Sequence, residues 1–173
     1  MTRWPVFLCA PIAVFSPAAM ATVYLSVEQA QQAIFPGGSF VPAPLSLTDE
    51  QKAAIARRAG ASTGLSPQVW KVAGGGWFIV DQTIGKHELI TYAVGLDAAG
   101  SVRGIEVLEY LENYGGQIRY ASWRKQFVGK KAADPVTLEQ DILNISGATL
   151  SCRHVTEGVR RLLALHDVVL SQR

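Results

Sequence analysis

The central third of the chain alternates between two sets of side chains, and this pattern constrains the fold more than any other feature. Residues 88–96 and 102–110 each have the length and the period-two pattern of a β-strand, and the turn sequence Asp97-Ala98-Ala99-Gly100 separates them. Two shorter runs of the same kind flank Gly74-Gly75-Gly76, which predicts a hairpin or a bulge at that point. Because strands joined by short turns run antiparallel, the sequence predicts an antiparallel meander.

Two short helices are predicted before these strands. Ser26-Val27-Glu28-Gln29 and Thr48-Asp49-Glu50-Gln51 each have the spacing of a capping box, in which a hydroxyl and a glutamine satisfy the first N–H groups of a helix. Gly60 is expected to end the second helix, since glycine readily adopts the left-handed conformation of a helix C-terminus. Residues 35–45 contain three prolines and two glycines and are predicted to form a loop.

Two more helices are predicted after the strands. Residues 120–128 place Trp123 and Phe127 four positions apart and are followed by Gly129. Residues 151–170 have the clearest helical pattern, with apolar side chains recurring along one stripe. The whole pattern predicts an α+β fold, an antiparallel sheet meander with packed helices, and 173 residues suffice for one domain with a sizeable core.

The first 21 residues have the pattern of a secretory signal peptide. Arg3 supplies a positive charge, residues 6–15 are mostly apolar, and Ala19-Met20-Ala21 fits the small-x-small cleavage pattern, so Thr22 is expected to begin the mature chain. The apolar stretch is shorter than the ~20 residues that a membrane span needs. We therefore expect an exported, periplasmic protein.

Net charge and cysteine content narrow the function classes. The formal net charge of +2 is too small to indicate nucleic acid or an anionic membrane as the partner. Cys9 would leave with the signal peptide, so Cys152 would remain alone; a small buried side chain is expected there, with a redox role as the alternative. The histidines His87, His154 and His166 lack the spacing of metal ligands, so no metal site is predicted.

The most informative segment for function is Ile145-Ser146-Gly147-Ala148-Thr149-Leu150-Ser151, which comes immediately before the predicted last helix. Gly147 and Ala148 are small and permit close approach of a ligand to the backbone. Thr149 is expected about two residues before the helix body, where free N–H groups and the positive end of the helix dipole can hold a phosphate. An ordinary helix cap is the alternative interpretation of the same residues.

A hydrolytic triad is the competing interpretation of this region. Ser146 or Ser151, with His154 and Asp141, supplies the residue types of such a triad. However, the G-x-S-x-G turn is missing, and His154 would lie on the same helix three residues beyond Ser151. The sequence therefore favours a phosphate loop over a nucleophilic serine.

Four segments together resemble the FMN-binding domain family. Residues 109–118 (EYLENYGGQI) are similar to its acidic, glycine-containing segment, and residues 123–130 (WRKQFVGK) resemble its W-x-x-Q-F-x-G-K element. Asp97-Ala98-Ala99-Gly100, with residues 105–108, resembles the family's D-x-x-G turn and following strand. Ser146-Gly147-Ala148-Thr149 resembles its S-G-A-T signature and completes the expected order.

This resemblance covers about residues 76–163 and implies three parts: a signal peptide at 1–21, an N-terminal helical segment at 22–66 and an FMN-binding domain at 67–173. The pattern is similar to the flavin-carrying subunits of Rnf and sodium-pumping quinone reductase complexes and to small exported FMN-binding proteins. It implies an electron-transfer flavoprotein without catalytic residues of its own. Its implied partners are a membrane-embedded reductase or electron-transfer complex and an exported flavin transferase. The alternative is an accessory or binding module of such a complex, with non-covalent flavin or none.

The resemblance also implies roles for single residues. Thr149 would carry FMN through a phosphoester, and Trp123 would be either a neighbour of the flavin ring or a core residue. Family members commonly carry Asp two or three residues before S-G-A-T; here Leu143 and Asn144 stand there, and the nearest acid is Asp141. The other implied cofactor-binding residues are Ser146, Gly147, Ala148, Leu150 and Ser151 at the phosphate loop and helix start, and Glu112, Tyr114, Gly115 and Gly116 in the flavin region.

Overall fold

The strands form one antiparallel sheet in the part of the chain that a computed structural model describes, residues 22–60, 66–112 and 114–173. The predicted signal peptide, residues 1–21, lies outside the described residues. The strands are β1 Thr22–Val23, β2 Phe40–Pro42, β3 Gln68–Val72, β4 Trp77–Ile84, β5 Leu89–Leu96 and β6 Val102–Tyr110. They lie in the order β1-β6-β5-β4-β3-β2, so the two shortest strands form the edges of the sheet.

Helices cover both faces of this sheet. They are α1 Val27–Ile34, α2 Asp49–Ala59, α3 Ala121–Arg124 and α4 Thr149–Val168, with 3-10 turns at Gly116–Arg119, Lys125–Phe127 and Leu170–Gln172. Helix α1 packs on one face, against β5 and β6, while α2 and α4 pack against each other on the opposite face. None of the helices in these described ranges is long and apolar enough to cross a membrane.

The two faces of the sheet bury separate apolar clusters because successive side chains of a strand point to opposite faces. Phe78 and Val80 of β4 pack with Ile34 under α1. Trp77 and Ile79 of the same strand belong to the larger cluster under α4. The alternation predicted for β4 is thus confirmed, and with it the α+β architecture.

Strand β6 departs from simple alternation at two bulges. Arg103 and Leu108 are extra residues relative to the partner register of β5, so the side chains that follow each of them change face. Four β6 side chains consequently share the face that α4 covers. They are Val102, Ile105, Val107 and Tyr110. The second bulge places Tyr110 beside the start of α4, where it forms part of the site described below.

Both predicted capping boxes are confirmed. The side chains of Ser26 and Thr48 accept hydrogen bonds from the N–H groups of Gln29 and Gln51, whose side chains bond back to the cap residues. Gly60 ends α2 in the left-handed conformation, with φ at 64°. At the start of α1 and of α2, side chains therefore satisfy two backbone N–H groups, whereas no side chain caps the start of α4.

Three predictions at element boundaries are wrong. The loop predicted at 35–45 contains β2, which tolerates Pro42 because an edge strand does not need every N–H donor. The helix predicted at 120–128 is the short α3 followed by a 3-10 turn, which still brings the rings of Trp123 and Phe127 together. The last helix begins at Thr149, two residues earlier than predicted.

A buried polar cluster joins α4 to the sheet. Arg161 of α4 donates to Asp81 of β4 over 2.6 Å, and the hydroxyl of Tyr92 of β5 donates to the same carboxylate over 3.0 Å. All three side chains are buried. Gly158 makes room for this contact, since a Cβ at that position would lie 2.1 Å from the Tyr92 hydroxyl. The cluster fixes the position of α4, whose first turn carries the candidate site.

Candidate functional site

Thr149 is the first residue of α4, and the residue before it leaves the helix end uncapped. Ala148 occupies the N-cap position and makes no side-chain hydrogen bond to the first turn. The first intrahelical bond runs from the N–H of Cys152 to the carbonyl of Ala148 over 2.8 Å, so the N–H groups of Thr149, Leu150 and Ser151 have no carbonyl within the helix to bond. The prediction that Thr149 precedes the helix body is wrong, because Thr149 is the first helical residue. The alternative interpretation as an ordinary helix cap is also wrong, because the N-cap residue is an alanine without a capping side chain.

The loop before α4 presents small residues to solvent. Ser146 and Gly147 are exposed, and Gly147 has φ at 84°, a conformation that favours glycine. No heavy atom lies within 4 Å of the position that a Cβ would take on Gly147. A turn bond from the N–H of Ala148 to the carbonyl of Ile145, 2.9 Å long, closes the loop. The loop is therefore open to a ligand on the side of Ser146 and Gly147.

Asn144 contacts the Thr149 hydroxyl directly. Its Nδ2 donates to Thr149 Oγ1 over 3.0 Å. Its Oδ1 is buried and accepts no hydrogen bond from any described residue. Asn144 was noted in the sequence only as a departure from the family pattern, and the one signal that could have singled it out is a polar residue between two aliphatic ones, five positions before Thr149.

Residues of the 123–127 segment hold this loop in place. Trp123 Nε1 donates to the carbonyl of Leu143 over 2.8 Å, and the N–H of Leu143 donates to Gln126 Oε1 over 2.8 Å. The Trp123 ring is buried against Phe127, at a centroid distance of 5.0 Å and an interplanar angle of 74°. Trp123 is thus a core residue whose ring nitrogen anchors the loop, which is the second of its two predicted roles.

Asp141 organises the preceding turn. Its carboxylate accepts hydrogen bonds from Lys130 Nζ at 2.8 Å, from the N–H of Thr137 at 2.7 Å and from the N–H of Val136 at 3.1 Å. Burial opposes its ionisation, but Lys130 and the two N–H donors outweigh burial, so the pKa of Asp141 lies below its ordinary value. The nearest acid to the S-G-A-T segment therefore already has three partners in the fold.

The glycine-containing segment packs against the first turn of α4. A Cβ on Gly115, whose φ is 91°, would lie 2.6 Å from the hydroxyl oxygen of Tyr110 and 2.8 Å from Ser151 Oγ. Those two hydroxyls are 2.8 Å apart, and the Tyr110 hydroxyl donates to the carbonyl of Tyr114. Ser151 consequently donates to Tyr110 and is buried. The structure brings together Gly115 and Ser151, two predicted site residues 36 positions apart in sequence.

Glu112 closes the neighbouring turn between β4 and β5. Its Oε1 accepts from the N–H groups of His87 and Glu88, the latter at 3.0 Å. Burial opposes ionisation of Glu112, but the N–H groups of Glu88, His87 and Lys86 outweigh it, so its pKa lies below the ordinary value. The carboxylate thus shapes the wall beside the loop through backbone contacts.

His154 ties that turn to α4. Its Nδ1 lies 2.9 Å from the carbonyl oxygen of Gly85. Because residues four apart share a helix face, Leu150 lies one turn before His154 on the same side of α4. The turn at 85–88 was not predicted as part of the site, and no sequence pattern in it indicates this role.

Exposed apolar side chains surround the loop. Tyr114 is 86% exposed, Leu143 is 70% exposed and Leu150 is 38% exposed. Gly116 lies behind Tyr114 and begins a 3-10 turn. Large apolar side chains exposed next to open backbone N–H groups offer contact to a ligand that has both a flat ring and an anion.

The structure does not bring together the residues of the alternative interpretation as a serine triad. Ser151 hydrogen-bonds to Tyr110, while His154 contacts Gly85 and Asp141 contacts Lys130, so these three side chains form no serine triad.

Cys152 is buried, and burial raises the pKa of its thiol, which confirms the interpretation as a packing residue. Within the described ranges, no group of three His, Cys, Asp or Glu side chains is placed to hold a metal ion.

A comparison with models of known protein families identifies the domain that contains this site. Residues 85–164 match the model of the FMN-binding domain. The chain contains a domain of the FMN-binding family. The match begins in the turn held by Glu112 and His154 and ends inside α4, so it includes the S-G-A-T loop. It confirms the resemblance stated from sequence and supports FMN as the cofactor of a flavoprotein. A comparison with curated proteins gave no match.

The residues present fit this cofactor. A phosphate group needs N–H donors, and the uncapped first turn of α4 offers those of Thr149, Leu150 and Ser151. Thr149 is half-buried beside the exposed Ser146 and Gly147, so a ligand can approach this helix end from solvent. Asn144 Oδ1 is buried and has no hydrogen-bond donor among the described residues, so this polar atom can still accept a bond.

Proposed function

We propose that this chain is an exported flavoprotein in which FMN is esterified through its phosphate to Thr149. In this proposal the flavin transfers electrons to or from a membrane-associated redox partner. The observation that carries the proposal is the start of α4, where a threonine hydroxyl stands at an uncapped helix N-terminus inside the matched FMN-binding region.

Electrostatics at this helix end favour a phosphate ester. The aligned peptide dipoles place partial positive charge at the first turn, and an anion there is stabilised by about 0.3–1 kcal/mol or more when partly buried. Helices α1 and α2 cap themselves with side chains, whereas α4 has Ala148 at the equivalent position. A phosphate on Thr149 would supply the missing acceptors for the N–H groups of Leu150 and Ser151.

The other predicted site residues fall into two groups in this proposal. Ser146, Gly147 and Ala148 leave the approach to Thr149 open and form the segment that a flavin transferase would read. Gly115, Gly116 and Glu112 set the wall next to α4, and the exposed ring of Tyr114 and the side chain of Leu150 offer apolar contact to the flavin. Trp123 contributes by holding the loop at Leu143.

FMN, when bound, supplies one- and two-electron redox chemistry that none of the twenty side chains provides. The chain's own part is to retain the cofactor, exclude water from its inner side and present it to a partner. We propose no catalytic residue in the chain. A covalent tether suits an exported carrier, because a dissociated flavin would be lost outside the cytoplasm.

Intact-mass measurement tests attachment and export together. The full chain is expressed for periplasmic export together with a flavin transferase, then purified and weighed. The expected mass is that of a chain beginning at Thr22 plus one FMN, less water. Thr149→Val, which keeps the shape of the side chain and removes the hydroxyl, should yield the unmodified mass with an unchanged far-UV circular dichroism spectrum. An unmodified wild-type chain, or an adduct that survives Thr149→Val, contradicts the proposal.

Acid precipitation separates the tethered carrier from a binding module. A covalently held flavin stays with the precipitated protein and gives a yellow, fluorescent pellet. A non-covalently held flavin passes into the supernatant, and that result would replace the proposal by the accessory-module alternative.

A further inference from the structure

The side chain of Asn144 makes a hydrogen bond whose purpose the fold alone does not explain. Nδ2 donates to Thr149 Oγ1 over 3.0 Å, while Oδ1 is buried without an acceptor bond from any described residue. Burying an unsatisfied amide oxygen lowers stability, so a leucine of similar volume would serve packing at least as well. An amide kept at this position is therefore better explained by its effect on Thr149.

We propose that Asn144 is the positioning residue for phosphoester formation at Thr149, an inference that rests on the proposed attachment of FMN to this hydroxyl. The amide donor fixes the rotamer of the Thr149 side chain and occupies one lone pair of Oγ1. The hydroxyl hydrogen consequently points away from Asn144, and the other lone pair is left for bond formation. The same donor stabilises negative charge that develops on Oγ1 as its proton leaves.

The position of Asn144 is itself fixed by its neighbour. Both backbone polar groups of Leu143 are hydrogen-bonded: its N–H donates to Gln126, and its carbonyl accepts from Trp123. These two bonds hold the chain immediately before Asn144, so the amide reaches Thr149 from a rigid support. Positioning of this kind requires that the supporting residue be locked by its own hydrogen bonds.

The covalent step balances with an activated flavin nucleotide as co-reactant. FMN phosphate alone does not esterify an alcohol in water, so the donor must carry a phosphoanhydride, as a flavin–adenine dinucleotide does. Thr149 Oγ1 forms a bond to the flavin-side phosphorus, the phosphoanhydride bond breaks, and adenosine monophosphate leaves. The hydroxyl proton passes to a base of the flavin transferase, because a neutral amide does not accept it.

The titratable groups around the loop have other partners. Asp141 is bound by Lys130 and two N–H groups, and Glu112 by the N–H groups of the β4–β5 turn. His154 contacts the Gly85 carbonyl, and the Tyr110 hydroxyl donates to Tyr114. None of these contacts is to Thr149. The pH dependence of attachment should therefore follow the transferase rather than a carboxylate of this chain.

The test compares initial rates of attachment in vitro. Purified chain, flavin transferase and flavin–adenine dinucleotide are mixed, and the modified fraction is followed by intact mass over time. For Asn144→Leu we expect kcat to fall by about tenfold or more, with KM for the chain little changed, because the amide acts on the nucleophile and not on docking. The thermal unfolding midpoint should be unchanged or higher. Val41→Ala, which shortens an exposed side chain on the edge strand β2 outside the site, should keep the wild-type rate.

The change Asn144→Asp, which keeps the shape of the side chain, separates the donor from packing. The ionised carboxylate cannot donate to Thr149 Oγ1, so attachment should be slow, and its rate relative to wild type should rise as the pH falls through the carboxylate pKa, because the protonated carboxyl can donate. In the unmodified chain, the side-chain amide resonance of Asn144 should shift in Thr149→Val, which detects the hydrogen bond without any flavin.

The outcomes distinguish failure of the proposed function from failure of the positioning role. A wild-type chain that takes up no flavin overturns the proposed function and this inference with it. Attachment to wild type and to Asn144→Leu at the same rate overturns the positioning role alone. A slow Asn144→Leu with a lowered unfolding midpoint assigns the side chain to folding and also overturns it. A folded Asn144→Asp that is as fast as wild type at neutral pH shows that no donor is needed, and overturns it as well.

Discussion

Two hydroxyls at the start of α4 lie two residues apart and have different environments. Thr149 is half-buried, and its hydroxyl accepts a hydrogen bond from Asn144. Ser151 is 4% exposed and donates to Tyr110 over 2.8 Å. Only the first can meet a bulky donor without the helix opening, so the fold itself selects which hydroxyl is available for modification.

Ser151→Ala tests this division of roles. The change removes the hydrogen bond to Tyr110 and should lower the free energy of unfolding by about 1 kcal/mol in denaturant titration. Flavin attachment should persist, because Ser151 contributes its backbone N–H and not its hydroxyl. Loss of attachment in a folded Ser151→Ala chain would contradict the account, as would labelling of Ser151 by a serine-reactive phosphonate.

Gly158 is the residue at which a single methyl group should matter most. Alanine has the better helix propensity by about 1 kcal/mol, but its Cβ would lie 2.1 Å from the Tyr92 hydroxyl in the buried contact between α4 and β5. We expect Gly158→Ala to lower the free energy of unfolding by about 1–3 kcal/mol through overpacking.

The same substitution in a Tyr92→Phe background is the matched control. Phenylalanine lacks the hydroxyl oxygen that the added methyl group would meet first, so the loss caused by Gly158→Ala should be smaller there. Equal losses in both backgrounds would show that the hydroxyl is not the source of the conflict.

At the scale of elements, the connection from the 3-10 turn at Lys125–Phe127 to α4 depends on Asp141. Its carboxylate accepts hydrogen bonds from Lys130 and from two backbone N–H groups, and these bonds hold residues 130–141 in a compact turn. The S-G-A-T loop follows directly, which makes Asp141 a structural residue and not the acid that the family pattern places near the threonine.

The lowered pKa of Asp141 gives this element a defined pH dependence. A carboxyl whose pKa falls on folding stabilises the folded state at neutral pH, and that contribution is lost as the pH falls through the folded-state pKa, which lies below the ordinary value of an aspartate. Asp141→Asn should therefore be less stable than wild type by about 1–2 kcal/mol near pH 7. The gap should narrow as unfolding is measured at pH values down to about 3.

Asp134→Asn provides the comparison in the same turn, because Asp134 accepts one exposed hydrogen bond, from the N–H of Lys131. Its stability should stay within about 0.5 kcal/mol of wild type. A gap for Asp141→Asn that keeps the same size at low pH would contradict the role given to the ionised carboxylate.

The limits of sequence reasoning are clearest at element boundaries. Capping boxes at Ser26 and Thr48 and the turns between strands were predicted correctly because each depends on residues close in sequence. The face of Tyr110 was not predictable, since it depends on the bulge at Leu108, which is set by pairing with β5. The sequence places the start of α4 too late because a threonine at position 149 is typical of a cap, whereas the N-cap position belongs to the buried Ala148.

At the scale of the whole molecule, α4 is held against the sheet by an apolar interface with one polar contact inside it. Asp81 accepts from Arg161 and from Tyr92, and these side chains come from α4 and two adjacent strands. The S-G-A-T residues could be found from sequence, but this contact joins positions 80 residues apart and has no sequence pattern of its own.

Asp81→Leu should destabilise the whole domain. Removing the carboxylate takes the main counter-charge from a buried guanidinium, which typically lowers the free energy of unfolding by about 3–5 kcal/mol. The double variant Asp81→Leu, Arg161→Met should lose clearly less than the sum of the two single changes, because no buried charge remains. Additive losses in global unfolding experiments would contradict the proposed coupling.

Site-resolved mass spectrometry tests the central claim most directly. The chain matured with a flavin transferase is digested, and the flavin-containing peptide is fragmented to locate the modified residue among Ser146, Thr149 and Ser151. The account predicts one FMN phosphoester, on Thr149, with both serines unmodified. A flavin located on either serine, or a Thr149-containing peptide that carries no flavin under conditions where the transferase modifies another substrate, would contradict it.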